Sequence, residues 1–258
     1  MTVIVGLVGA EGAVMASDSE GTEDVHSRRD VEKCWTCGGL LIGLSGTSSI
    51  KQPMEAVLAK EVKDAFGKEP EIPRWKARDV IRTAVGPVLK REYENYVPPT
   101  PNDHSGAIAS SLLVAGRDAD GYWLLEIAPD NQPTFYTEHG FHTIGTGSAA
   151  AYVAQGLLKG YEPGQRSLDH LKLVAYRTVD TCINVMAGTL GVGGYVQLYG
   201  SRDGDPFEKE DDEGIERLAN GLQQWTTLES ESLNRVVLGG TASPAEGEGE
   251  ELPEELDE

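Results

Sequence analysis

Met1-Thr2-Val3-Ile4-Val5-Gly6-Leu7-Val8-Gly9-Ala10-Glu11-Gly12-Ala13-Val14-Met15-Ala16-Ser17-Asp18-Ser19-Glu20-Gly21-Thr22 decides how this chain begins to fold. Residues 3–8 are apolar and mostly β-branched, residues 9–12 are turn-forming, and residues 13–17 are apolar or small again. That is the pattern of a β-hairpin. A second hairpin follows at 33–37 and 40–44, hinged on Gly38-Gly39. Neither hairpin alternates cleanly between apolar and polar residues, as expected for a sheet covered on both faces.

Outward from these hairpins the helical signals come in pairs. Ile50, Met54, Val57, Leu58, Val62 and Phe66 recur at helical spacing through 49–66, with Ser48 or Ser49 as the expected cap. A second helix is predicted over 75–95 from Val80, Ile81, Val85, Val88 and Leu89, with Pro87 expected to kink or shorten it. The Pro-rich stretch 97–103 reads as a loop, and strands are predicted at 107–116, 121–127 and 132–137. Two helices, at 147–160 and 167–187, and a strand at 194–200 follow. The order is strands, two helices, strands, two helices, strand. It predicts an α+β fold: a four-layer α-β-β-α sandwich of two antiparallel sheets, with a helix pair on each outer side.

Residues 1–204 are expected to hold that sandwich, and 205–240 a C-terminal helical appendage. After a charged linker at 205–213, a helix around 213–230 carries Ile215, Leu218, Leu222 and Trp225 on one face. Residues 241–258 are rich in Glu, Gly and Pro and are expected to be a disordered acidic tail.

Charge narrows the partners. The net charge is −20; setting aside the eight carboxylates of 241–258 still leaves −12 on the rest. Such a surface repels phosphates, which argues against nucleic acid. No run of about 18 apolar residues offers a membrane span, and no signal-peptide pattern opens the chain. Three cysteines do not make a disulfide framework. The expected compartment is the cytoplasm.

Thr2, a strand ending in Asp18 and a Thr four residues later, at Thr22, give the opening segment a more specific reading. It resembles proteasome β-subunits and the bacterial HslV peptidase, N-terminal nucleophile hydrolases whose chains begin with a catalytic Thr. The resemblance runs, more loosely, from Thr2 to about Gly200, and the C-terminal fifth lies outside it. It implies Thr2 as nucleophile once Met1 is removed, and Lys33, in Val31-Glu32-Lys33-Cys34-Trp35, as a cation beside the hydroxyl and paired with Asp18. The loop before Lys33 is one residue shorter than in proteasome subunits. Leu44-Ser45-Gly46-Thr47-Ser48 is similar to the family segment whose glycine N–H serves the oxyanion, which implicates Gly46. Ile144-Gly145-Thr146-Gly147-Ser148 resembles a Gly-Ser-Gly motif that ties down the terminal amine; Thr146 replaces its Ser, and Ser148 is a second candidate. Val179-Asp180-Thr181-Cys182-Ile183 is similar to the HslV type and departs from the proteasome pattern, which leaves Asp180 as an orienting carboxylate or a structural helix residue. The implied partners are a peptide or unfolded protein as substrate, further copies of the chain in a self-compartmentalised ring, and an AAA+ ATPase unfoldase. No cofactor and no metal is implied.

The chemistry of these residue types supports the same reading. A Thr hydroxyl is a weak nucleophile and needs a base. A freed α-amine on the same residue has a reference pKa of about 7.7–8.0, so a nearby cation can bring it into the range of a neutral base near pH 7. The same nucleophile also suits an amidase or acylase acting on small molecules, and a ring subunit can keep the scaffold without activity. Other motifs carry less. Cys34 and Cys37 point to opposite faces of a strand and have no second pair, so zinc is not expected. His26, His104, His139, His142 and His170 lack metal-ligand spacing and are expected at the surface or in loops. Ser110-Ser111 lacks the glycines of a nucleophile elbow.

Overall fold

The computed structural model describes residues 2–23, 26–28, 30–67, 69, 71–95, 110–158, 167–186, 191–202 and 204–237. Met1, the loop at 97–103 and the tail at 241–258 lie outside the described residues. The chain divides into two compact units, Met1–Ala219 and Asn220–Glu258.

The first unit begins with the two hairpins. β1 (Ile4–Val8) pairs with β2 (Gly12–Asp18), and β5 (Cys34–Cys37) with β6 (Leu40–Ser45); between them β3 (Gly21–Glu23) and β4 (His26–Arg28) form a short ribbon. The helices α1 (Lys51–Phe66) and α2 (Arg74–Asn95) follow, then β7 (Ser111–Asp118), β8 (Gly121–Ile127), β9 (Pro133–Phe135) and β10 (Phe141–Ile144). Next come α3 (Ser148–Leu157), α4 (Leu168–Met186), β11 (Val196–Arg202) and β12 (Glu208–Lys209), before α5 (Asp212–Val237) runs on into the second unit. One five-stranded antiparallel sheet has the order β10-β1-β2-β11-β12, and the other β5-β6-β7-β8-β9.

The two sheets share an apolar interior. Ile4, Ala13 and Met15 from one meet Leu41, Leu113, Ala115 and Leu124 from the other, all fully buried. The reverse face of the second sheet, with Leu40, Ile42, Leu112, Val114 and Leu125, packs against Met54, Leu58 and Val62 of α1 and Ile81 and Val85 of α2. On the reverse face of the first sheet, α4 covers β2 and β11 with Leu171, Val174, Ala175, Val179 and Cys182 buried. Four layers result, α-β-β-α, and the strands read as apolar runs because every layer but the outermost is covered twice. Cys34 lies in the inter-sheet core and Cys37 in the helix-side core, as their spacing on a strand requires.

Several elements depart from expectation. Pro87 does not shorten α2, which is continuous over 22 residues. Pro87 and Thr83 are both exposed, so the carbonyl that loses its helical donor faces water while Val85, Val88 and Leu89 hold the buried side. The cap of α1 falls on Ile50, without a side-chain cap, behind a single 3-10 turn. Pro53, the third helical residue, has no N–H to satisfy, which lessens the need for a capping serine. β10 was not expected as a strand; Phe-His-Thr-Ile forms it by pairing with β1. β12 occupies part of the expected linker, and α5 is longer than 213–230. In the second unit α5 exposes Leu228, Leu233, Val236 and Val237. Among the described residues no helix is long and apolar enough to cross a membrane.

Candidate active site

Asp18 ends β2 fully buried, with its carboxylate taking three donors. Oδ1 accepts from Lys33 Nζ at 2.6 Å and from the Val3 N–H at 2.9 Å, and Oδ2 accepts from the Gly193 N–H at 3.2 Å. Antiparallel pairing puts Ile4 opposite Ser17 and so brings the start of the chain to the end of β2. Lys33 arrives from the start of the second hairpin, where its carbonyl accepts from Leu44 N at 3.0 Å. The Lys33 side chain is only 5% exposed. Burial pushes the Lys33 pKa down, and the Asp18 carboxylate opposes that drop. A buried pair of this kind is weak evidence for stability, because desolvation offsets the attraction. Its clearer consequence is positional: one carboxylate fixes the cation and the backbone of the residue after Thr2.

Thr2 is 6% exposed. Its backbone N donates to Thr146 Oγ1 at 3.1 Å, and its carbonyl accepts from Gly147 N at 3.0 Å and from Thr146 Oγ1 at 3.4 Å. The loop between β10 and α3 thus grips both ends of residue 2. Gly145 makes the grip possible. Its φ is +97°, and a Cβ there would fall 2.3 Å from the Thr2 carbonyl oxygen. Ser148, one residue past the clamp, donates instead to the Gly145 carbonyl at 2.5 Å and shapes the turn. Of the two hydroxyls considered from sequence, Thr146 is the one bonded to the Thr2 nitrogen.

Gly46 follows β6 with φ +131°, and a Cβ there would fall 2.0 Å from Ser110 Oγ. It lies two residues beyond Leu44, the residue bonded to Lys33, so the turn opens from the same end of the sandwich.

No family model and no curated protein matches the chain. Among solved structures it is similar to Anbu, the Gly-1 mutant from Hyphomicrobium sp. strain MC1, of an HslV/proteasome-like N-terminal-nucleophile hydrolase family. The TM-score is 0.66, over 91% of this chain and 97% of that one, at 16% sequence identity. The fold is proteasome-like. At that identity the likeness concerns the fold alone.

The remaining candidates fall elsewhere. Asp180 accepts from Asn184 Nδ2 at 3.0 Å, one turn along α4, and burial raises its pKa. Two helical residues span about 200°, so with Cys182 turned into the core Asp180 is turned away from it. Cys182 is fully buried, its thiol pushed up to about 11 by burial and by the nearby Asp18 charge. His142 corrects the expectation of a surface or loop histidine. It is buried on β10, with Nε2 2.8 Å from Glu126 Oε2, Nδ1 2.8 Å from the Tyr152 hydroxyl, and the Tyr136 ring stacked at 3.5 Å. Gly193 was missed because its contribution is a backbone N–H. The only sequence signal was the cluster Gly191-Val192-Gly193-Gly194.

Proposed function

We propose that the chain is a threonine peptidase, acting through an acyl-enzyme on Thr2 after removal of Met1. The observation that carries this reading is the hydrogen bond from the Thr2 nitrogen to Thr146 Oγ1, at a residue held from the other side by Asp18 and Lys33 through Val3. Once that nitrogen is a terminal amine, Thr146 orients it by accepting one N–H, and the lone pair is left for the hydroxyl proton. The Lys33 ammonium favours the neutral amine and the anionic character that develops on Oγ. The Thr2 oxygen attacks the substrate carbonyl, the amine takes the proton, and the Gly46 N–H stabilises the oxyanion. The amine then delivers its proton to the leaving nitrogen. Water, deprotonated by the same amine, releases the acyl group and regenerates Thr2.

A homo-oligomeric ring, peptide or unfolded-protein substrates and an ATPase unfoldase belong to the same proposal. The experiment is a panel of fluorogenic peptides offered to wild type and to Thr2→Ala. Turnover by wild type that is abolished in Thr2→Ala supports the reading. Equal turnover by both overturns it, and turnover of small amides alone moves it to an amidase.

A further inference from the structure

We infer that Glu92 is a positioning residue for the Gly46 turn, clamping it from α2 through two hydroxyls. The backbone ladder between β6 and β7 has its last rung at Ser45 and Ser111. Gly46 and Ser110 are the next residues outward, and there the sheet has no further rung. Glu92 supplies one from its side chain: Oε1 accepts from Thr47 Oγ1 and, at 3.0 Å, from Ser110 Oγ. A carboxylate has no proton to give, so both hydroxyls must donate to it, and such charge-assisted bonds are about twice as strong as neutral ones. Ser110 is 1% exposed, with its Oγ 2.0 Å from where a Gly46 Cβ would be. The bond that holds Ser110 therefore also fixes the floor under Gly46, while the bond to Thr47 fixes the residue after it.

Glu92 is not placed to help its own helix. It lies in the last turn of α2, where the helix dipole disfavours a negative charge. A merely structural role for Glu92 then predicts that activity follows the melting temperature in every variant. A positioning role predicts a split between variants and between kinetic constants. The kinetic part rests on the proposed peptidase reading; the conformational part does not.

The experiment compares wild type, Glu92→Gln, Glu92→Ala and the double variant Thr47→Val/Ser110→Ala. Amide exchange over residues 45–49 should accelerate about tenfold or more in Glu92→Ala and in the double variant. It should stay near wild type in Glu92→Gln, whose amide oxygen still accepts both hydroxyls. With a fluorogenic peptide, kcat should fall about 10- to 100-fold in Glu92→Ala at little-changed KM, because a small displacement of a catalytic donor acts on the transition state. Glu92→Gln should recover most of it. Unchanged exchange over 45–49 in Glu92→Ala overturns the inference, as does an equal loss in Glu92→Gln and Glu92→Ala that tracks the melting temperature. If wild type cleaves no peptide, the peptidase reading falls, and exchange alone still decides the role of Glu92.

Discussion

Replacing Asp18 by Asn tests the arrangement at its most constrained point. In wild type Oδ1 serves Lys33 and Val3 while Oδ2 serves Gly193, and all three partners are donors. An Asn has one acceptor and one NH2. If its oxygen faces Lys33 and Val3, the NH2 faces the Gly193 N–H; the flipped amide puts NH2 against an ammonium. Either way a buried donor loses its acceptor, worth about 1–3 kcal/mol. Lys33, 5% exposed, also loses its counter-charge, and breaking a buried pair from one side costs about 3–5 kcal/mol. These terms overlap, so the expected loss is about 4 kcal/mol. For a unit of this size that lowers the melting temperature by roughly 8–16 °C. Urea unfolding of wild type, Asp18→Asn, Lys33→Met and the double variant completes the measurement. The double variant should lose less than the sum of the singles, since it removes the buried cation along with the carboxylate. A loss below about 1 kcal/mol in Asp18→Asn, or strict additivity in the cycle, would mean that Asp18 and Lys33 are not coupled.

Thr146→Val removes the acceptor for the Thr2 nitrogen and should lower kcat about tenfold, the kinetic equivalent of one hydrogen bond, with Thr146→Ser near wild type in the same peptide assay. The pH profile of kcat/KM should be bell-shaped. Burial lowers the Lys33 pKa against the opposing Asp18 charge, so the alkaline limb should fall below the ordinary lysine value of about 10.4; a limb at or above that value contradicts the assignment. Away from the site, Arg74 Nε and Nη2 bind Asp118 at 2.6 and 2.7 Å. Burial raises the Asp118 pKa, but the bonds from Arg74 outweigh it and hold the carboxyl below its usual value. A depressed carboxyl pKa adds stability above the unfolded value, about 3.9, and loses it as pH falls through the folded one. Asp118→Asn should therefore cost about 2 kcal/mol at pH 7, and much less near pH 2, in denaturant titrations at the two pH values.

Much of the sandwich is legible because its hairpins are long apolar runs joined by glycine turns, and its helices carry regular stripes such as Met54-Leu58-Val62. β10 is not legible that way. Four residues between a 3-10 turn and a glycine-rich helix start carry too little pattern, and pairing with β1 makes the strand. His142 reads as a loop residue until the fold brings Glu126, Tyr136 and Tyr152 around it from three separate segments. At the site, Thr2, Asp18, Lys33 and Thr146 stand out in sequence because each carries functional side-chain chemistry, and the fold brings them together. Gly193 acts through its backbone, signalled only by the glycines around it, and Glu92 through hydroxyls on two distant segments, so neither has a side-chain motif of its own. Asp180 shows the converse: a motif letter matched, while helix geometry turned it away from the face that Cys182 presents.

The proposed chemistry requires residue 2 to become the terminal residue, with a reactive hydroxyl. Mass spectrometry of the N-terminal peptide, after treatment of the purified protein with a Thr-directed β-lactone, tests it directly. The expected product is a peptide that starts at Thr2 and carries one adduct on it. A peptide that retains Met1, or an adduct found only at another residue, would contradict it.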